Sequence, residues 1–100
     1  SVVDFSEKRN RETVIRLAYE KRGEANFFLG RDRASIEDYT KAISYGSFRG
    51  SIYFYRGEAF YNLGEYDRAV SDYTRAVELG SNEGELYCLR GLAYLQLRNT

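Results

Sequence analysis

Apolar positions along the chain recur at helical rather than strand spacing. Between residues 51 and 63, Tyr53, Gly57, Phe60 and Leu63 step by four and three, and between residues 66 and 79, Ala69, Val70, Tyr73, Ala76 and Val77 trace one stripe. The pattern predicts two amphipathic helices joined by a turn at Gly64-Glu65. Gly57, Ala69 and Ala76 place small side chains where antiparallel helices approach, and Tyr53, Phe60 and Tyr73 fill the volume around those contacts. A helix pair of this kind buries its apolar face only against further pairs.

The same pattern occurs more than once. Tyr19, Arg22, Gly23, Glu24, Ala25, Leu29 and Gly30 recur 34 residues later as Tyr53, Arg56, Gly57, Glu58, Ala59, Leu63 and Gly64. At the same offset Asp38, Tyr39, Thr40, Ala42, Gly46 and Ser47 recur as Asp72, Tyr73, Thr74, Ala76, Gly80 and Ser81. A third copy begins with Tyr87, Arg90, Gly91, Ala93, Tyr94 and Leu97. One register without gaps runs through all three, which is the mark of a repeat architecture.

These residues resemble the tetratricopeptide repeat family. Its 34-residue unit has an aromatic at the fourth place, Gly at the eighth, an aromatic at the eleventh, Ala at the twentieth, an aromatic at the twenty-fourth and Ala at the twenty-seventh. Tyr53, Gly57, Phe60, Ala69, Tyr73 and Ala76 fit every place. The preceding unit keeps Tyr19, Gly23, Tyr39 and Ala42 but has Asn26 and Ser35 for the aromatic and the alanine, so it is expected to be looser. The implied fold is all-α: antiparallel helix-turn-helix repeats stacked as a right-handed superhelical solenoid of about six helices.

The frame divides the chain into the second helix of a partial upstream repeat over 1–15, whole repeats over 16–49 and 50–83, and the first helix of a further repeat over 84–100. The upstream assignment rests on Asp4-Phe5-Ser6, which stand 34 residues before Asp38-Tyr39-Thr40, although Lys8 replaces the expected alanine. A chain that starts at Ser1 and contains no methionine is expected to be a piece of a longer one.

Composition narrows the function. Lys plus Arg and Asp plus Glu are each 15, so no net field favours nucleic acid. Apolar runs are too short for a membrane span and no signal peptide is legible, which points to a cytoplasmic setting. Without histidine, nucleophile-plus-histidine catalysis is excluded, and no metal set or cofactor motif is found. The chain reads as a non-enzymatic scaffold. Cys88 has no second cysteine and reads as a small groove-lining side chain.

The resemblance implies a concave groove lined by the first helix of each repeat. Its places hold Leu17, Glu20, Lys21, Glu24, Phe27 and Phe28, then Ser51, Phe54, Tyr55, Glu58, Tyr61 and Asn62, then Glu85, Cys88, Leu89, Leu92, Leu95 and Gln96. The implied partner-binding set is Glu20, Glu24, Phe27, Phe54, Tyr55, Glu58, Tyr61, Cys88 and Leu89. Its large apolar side chains are not required by the two-helix core pattern, and with the line of acids Glu20, Glu24 and Glu58 they imply a protein or peptide with apolar and basic side chains. Family members that clamp the acidic tails of heat-shock chaperones use Lys, Asn and Arg at places that here hold Glu20, Glu24, Tyr55, Glu85 and Leu89. None matches, so such tails are not expected to bind. The alternative is a structural or regulatory spacer in a larger protein, with the groove filled intramolecularly.

Arg22, Arg56 and Arg90 recur at one place, and Asp38 and Asp72 at another. An anion-binding ladder is one reading; ion pairs reaching an adjacent helix are the favoured one. The truncated ends, with Val2, Val3 and Phe5 on one side and Leu92, Leu95 and Leu97 on the other, are expected to allow self-association.

Overall fold

The computed structural model describes residues 2–81 and 83–98, with the side chains of residues 4–81 and 87–98. Expectations placed on the side chains of Val2, Val3 and Glu85 lie outside these. Five helices follow one another among the described residues: α1 (Val2–Phe28), α2 (Asp32–Ser44), α3 (Gly50–Asn62), α4 (Tyr66–Glu78) and α5 (Glu83–Arg98). Each packs against its neighbour in chain order, and α1 also touches α3, which sets first helices side by side. The stack is elongated, 55 × 26 × 18 Å.

One device makes all four turns that close α1 to α4. Gly30, Gly46, Gly64 and Gly80 have φ between +77° and +94°, a region that side chains with a Cβ disfavour. The amide after each glycine returns to a carbonyl five residues back: Arg31 to Asn26, Ser47 to Ala42, Glu65 to Phe60 and Ser81 to Ala76, at 2.8–3.1 Å. This is the left-handed helix stop that satisfies the last carbonyls.

The same device explains where the fold departs from the expected six helices. Thirty-four residues before Gly46 stands Glu12, and no glycine precedes Gly23. Nothing stops the helix, so α1 runs unbroken for 27 residues where a break near residue 15 was expected. At 1.5 Å per residue it is about 40 Å long, twice the length of α2, α3 or α4. Its N-terminal half overhangs the stack.

The core forms where glycine meets tyrosine. Tyr39 and Tyr73 are fully buried, and their rings lie against Gly23 and Gly57. A methyl at Gly57 would stand 2.9 Å from Tyr73 Cε1, and one at Gly23 would stand 2.8 Å from Tyr39 Cε1. Phe60, Ala69, Val70, Tyr73, Ala76 and Ala93 make one cluster spanning α3, α4 and α5. The first unit compensates its missing aromatic by polarity: Asn26, at the place of Phe60, donates to Asp38 at 2.9 Å, and the enclosed Ser35 hydroxyl donates to the Asp32 carbonyl.

Candidate functional site

The repeated arginines are structural. Arg22 donates through Nε and Nη2 to Asp38 at 3.0 and 2.7 Å, and Arg56 grips both oxygens of Asp72 at 2.8 Å. Each pair joins the two helices of one repeat. Arg56 also reaches Thr40 on α2, so it ties the first repeat to the second, and Arg90 reaches Thr74 on α4 in the same way. Burial raises the Asp72 carboxyl above its usual range, and the Arg56 contact opposes that rise. The Arg22 guanidinium is raised by its hydrogen bond to Asp38 and then by that carboxylate's charge.

Side by side, α1 and α3 bring together an aromatic shelf. Phe27 lies 5.1 Å from Tyr55 between ring centroids, Phe28 lies 5.7 Å from Tyr55 and 5.3 Å from Phe27, and Phe54 lies 5.1 Å from Tyr55. These separations suit edge-to-face and tilted aromatic contacts. Phe28, which was a groove place but not one of the nine selected residues, is the most open of them at 65% exposure. Its pairing with Tyr55, 27 positions away, is invisible in a one-repeat pattern.

Three of the nine are less free than expected. Phe54 leans on Tyr73 at 6.2 Å, Tyr61 meets Tyr66 of α4 edge-on at 5.0 Å, and Leu89 packs on the buried cluster. The premise that the groove's apolar residues are not needed by the core is therefore corrected: these three help to seal the seam between first and second helices. Leu97, expected at an exposed end, also packs against that cluster.

The acids are likewise divided. Glu20 is only 3% exposed, with Arg49 Nη1 at 3.1 Å from one oxygen and Arg16 Nε at 3.5 Å from the other. Two cations enclose it beneath a depression of about 350 Å³ that Leu17, Ser47 and Phe48 also line. Glu58 accepts a hydrogen bond from the Tyr73 hydroxyl. Glu24 remains exposed and contributes, after burial, to raising the Tyr39 phenol. Cys88 is an exposed free thiol on α5. The line of three acids thus reduces to Glu24 as the open charge, because the other two are spent on partners from neighbouring elements.

Among the described residues no helix is long and apolar enough to cross a membrane. A model described as "TPR repeat" matches residues 57–97, and one described as "Tetratricopeptide repeat" matches residues 17–45. No curated protein matches the chain. Among solved structures, the first TPR of Spaghetti (RPAP3) bound to the HSP90 peptide SRMEEVD is similar at 26% identity and a TM-score of 0.71, covering 85% of this chain and 69% of that one. The second TPR of the same protein, bound to the same peptide, gives 24% identity and a TM-score of 0.78 over 93% and 85% of the two chains. The NMR structure of the first TPR domain of human RPAP3 gives 26% identity and a TM-score of 0.71 over 85% and 67%. Helix pairs closed by glycine stops, tyrosine rings seated on glycine and a 34-residue register, together with these matches, place the chain in the tetratricopeptide repeat family.

Proposed function

We propose that this chain is a non-enzymatic protein-interaction scaffold that holds a peptide or helix of a partner in the concave groove, on the shelf of Phe27, Phe28 and Tyr55. The observation that carries this reading is the exposed Phe28 ring beside Tyr55, an apolar surface left open among the described residues. Repeats at 16–49 and 50–83 supply the two walls, and Glu20, Glu24, Phe54, Glu58, Tyr61, Cys88 and Leu89 frame them. Two apolar side chains docked there contribute roughly 1.5–3 kcal/mol each. Set against the cost of association, that supports affinity on the order of micromolar. Glu24 favours a Lys or Arg beside those apolar groups, and the setting is cytoplasmic.

The similar RPAP3 domains hold an acidic peptide. Glu20 and Glu24 here stand at clamp places where that peptide class would need the donors of Lys and Asn, which supports a different ligand class. A random-peptide display selection on the chain, with titration of SRMEEVD in parallel, tests this. We expect enriched peptides to carry aromatic or aliphatic residues with Lys or Arg, to lose at least tenfold in affinity on Phe28→Ala with Tyr55→Ala, and SRMEEVD to bind weakly or not at all. Tight SRMEEVD binding, or selected peptides indifferent to both substitutions, would overturn the reading.

The spacer alternative gains from Phe54, Tyr61 and Leu89, which already serve the core; failure to select any peptide favours it. The end helices support self-association as well, because α1 leaves Val14 and Ile15 exposed and α5 leaves Leu92, Tyr94 and Leu95 exposed.

A further inference from the structure

The Arg–Asp pairs repeat every 34 residues, but the cluster around Glu20 does not. Arg16, Glu20 and Arg49 are replaced in the next repeat by Gly50, Phe54 and Glu83, so the fold does not require that cluster. It lies where α1 meets the turn between α2 and α3, beneath the depression of about 350 Å³ walled by Leu17 and Phe48. Three enclosed polar atoms there have no hydrogen-bond partner among the described residues: Arg16 Nε, Glu20 Oε2 and Ser47 Oγ. Glu20 and Ser47 are 3% and 5% exposed, so bulk solvent does not serve them. Arg16 Nε and Glu20 Oε2 stand 3.5 Å apart, an ion pair too long for a good hydrogen bond. Arg49 holds the other Glu20 oxygen and is otherwise open, and the Phe48 ring is exposed.

These three atoms select a ligand chemistry. Arg16 Nε only donates, Glu20 Oε2 only accepts and the Ser47 hydroxyl does either. A carboxylate or phosphate would satisfy the donors, but it would stand against the Glu20 charge and leave Oε2 orphaned. A Lys or Arg would satisfy Oε2, but it would bring a third cation beside Arg16 and Arg49 and leave Nε orphaned. A neutral amide carries both functions, an N–H for Glu20 and a carbonyl for Arg16 and Ser47, so it alone leaves no buried polar atom unpaired.

We propose that this depression is a carboxamide pocket that takes a Gln or Asn side chain of the partner peptide. The ligand N–H donates to Glu20 Oε2, its carbonyl accepts from Arg16 Nε and Ser47 Oγ, and its methylenes lie against Leu17 and Phe48. This rests on the peptide-groove reading above and gives that groove a polar selectivity. Leu17, Glu20, Glu24 and Phe28 follow one another on α1 at steps of three and four, which sets them on one stripe. Eight helical positions from Glu20 to Phe28 amount to about 12 Å, the reach of about four extended residues. The partner therefore carries its amide residue about four positions from the apolar residue on the shelf, with a basic residue between them facing Glu24.

Titration of the end-capped peptides FAKAQ and QAKAF into the isotope-labelled chain, followed by NMR, tests the proposal, with circular dichroism confirming the helicity of each variant. One of the two chain directions should bind and shift the backbone amides of Glu20, Ser47 and Phe48. Exchanging its Gln for Glu, Lys or Met should weaken binding at least fivefold. Ser47→Ala should do the same to the Gln peptide and leave the Met peptide unchanged, and Phe48→Ala should weaken the Gln peptide as well. Both variants are expected to fold, because the helix stop uses the Ser47 backbone amide and Phe48 is exposed. Binding that falls with Phe28→Ala and Tyr55→Ala but ignores the Gln exchanges and Ser47→Ala overturns the pocket and leaves the shelf. Binding that needs Gln and Ser47 but ignores both shelf substitutions upholds the pocket and overturns the shelf. Preference for Glu or Lys over Gln, or no binding by either peptide, overturns the pocket and makes it a site for water alone.

Discussion

Tyr39 and Tyr73 occupy one place in successive repeats, both fully buried, yet removing their hydroxyls should move stability in opposite directions. The Tyr73 hydroxyl donates to Glu58, while the Tyr39 hydroxyl is buried with no hydrogen-bond partner among the described residues. A hydrogen bond to a charged acceptor contributes about 1.5–3 kcal/mol, and Glu58 is half-buried, so Tyr73→Phe should cost near the lower end, about 1.5 kcal/mol. An unpaired buried hydroxyl carries a desolvation penalty of about 1–3 kcal/mol. Its removal leaves a small void that offsets part of the gain, so Tyr39→Phe should stabilise by about 1 kcal/mol. Urea unfolding followed by circular dichroism measures both. With a slope of about 1–2 kcal/mol per molar for a chain of this size, the two midpoints should lie roughly 1.2–2.5 M apart, Tyr39→Phe above the parent and Tyr73→Phe below it. Equal losses in the two variants would refute the reasoning, since Tyr39 would then have an acceptor, with Glu24 the nearest candidate by charge.

Other consequences follow from the same contacts. Both buried tyrosines have pKa values raised above the ordinary value, so their contribution is fully present below about pH 10 and is lost as pH rises through and beyond it; helicity should fall steeply in that alkaline range, and less steeply in the Tyr39→Phe, Tyr73→Phe double variant. Gly57→Ala forces a methyl against the Tyr73 ring and should lower stability by about 1–3 kcal/mol, whereas Gly91→Ala enters open space on a helix and should raise it by about 0.5–1 kcal/mol, both read from thermal unfolding. Arg56→Ala leaves Asp72 buried without a side-chain donor and should cost about 2 kcal/mol in urea unfolding; Arg22→Ala should lower the midpoint less, because Asn26 still donates to Asp38.

The 34-residue register by itself determined the helix pairs, their glycine stops and the seating of Tyr39 on Gly23 and Tyr73 on Gly57. Those features depend on backbone conformation and on contacts within one repeat, and both recur with the residues that cause them. The unbroken α1 was not read from the register, which placed a boundary near residue 15, although Glu12 stands where a stop glycine was required. The groove was a different matter. Glu20 is closed off by Arg49, 29 residues away at the start of the next helix pair, and no periodic place predicts that encounter. Phe54, Tyr61 and Leu89 sit at groove places but lean inward, while Phe28 stays open beside Tyr55. Repeat sequence fixes what each unit must bury against itself. Which charges meet and which rings remain exposed depends on how far adjacent first helices are offset, and only the packed stack sets that offset.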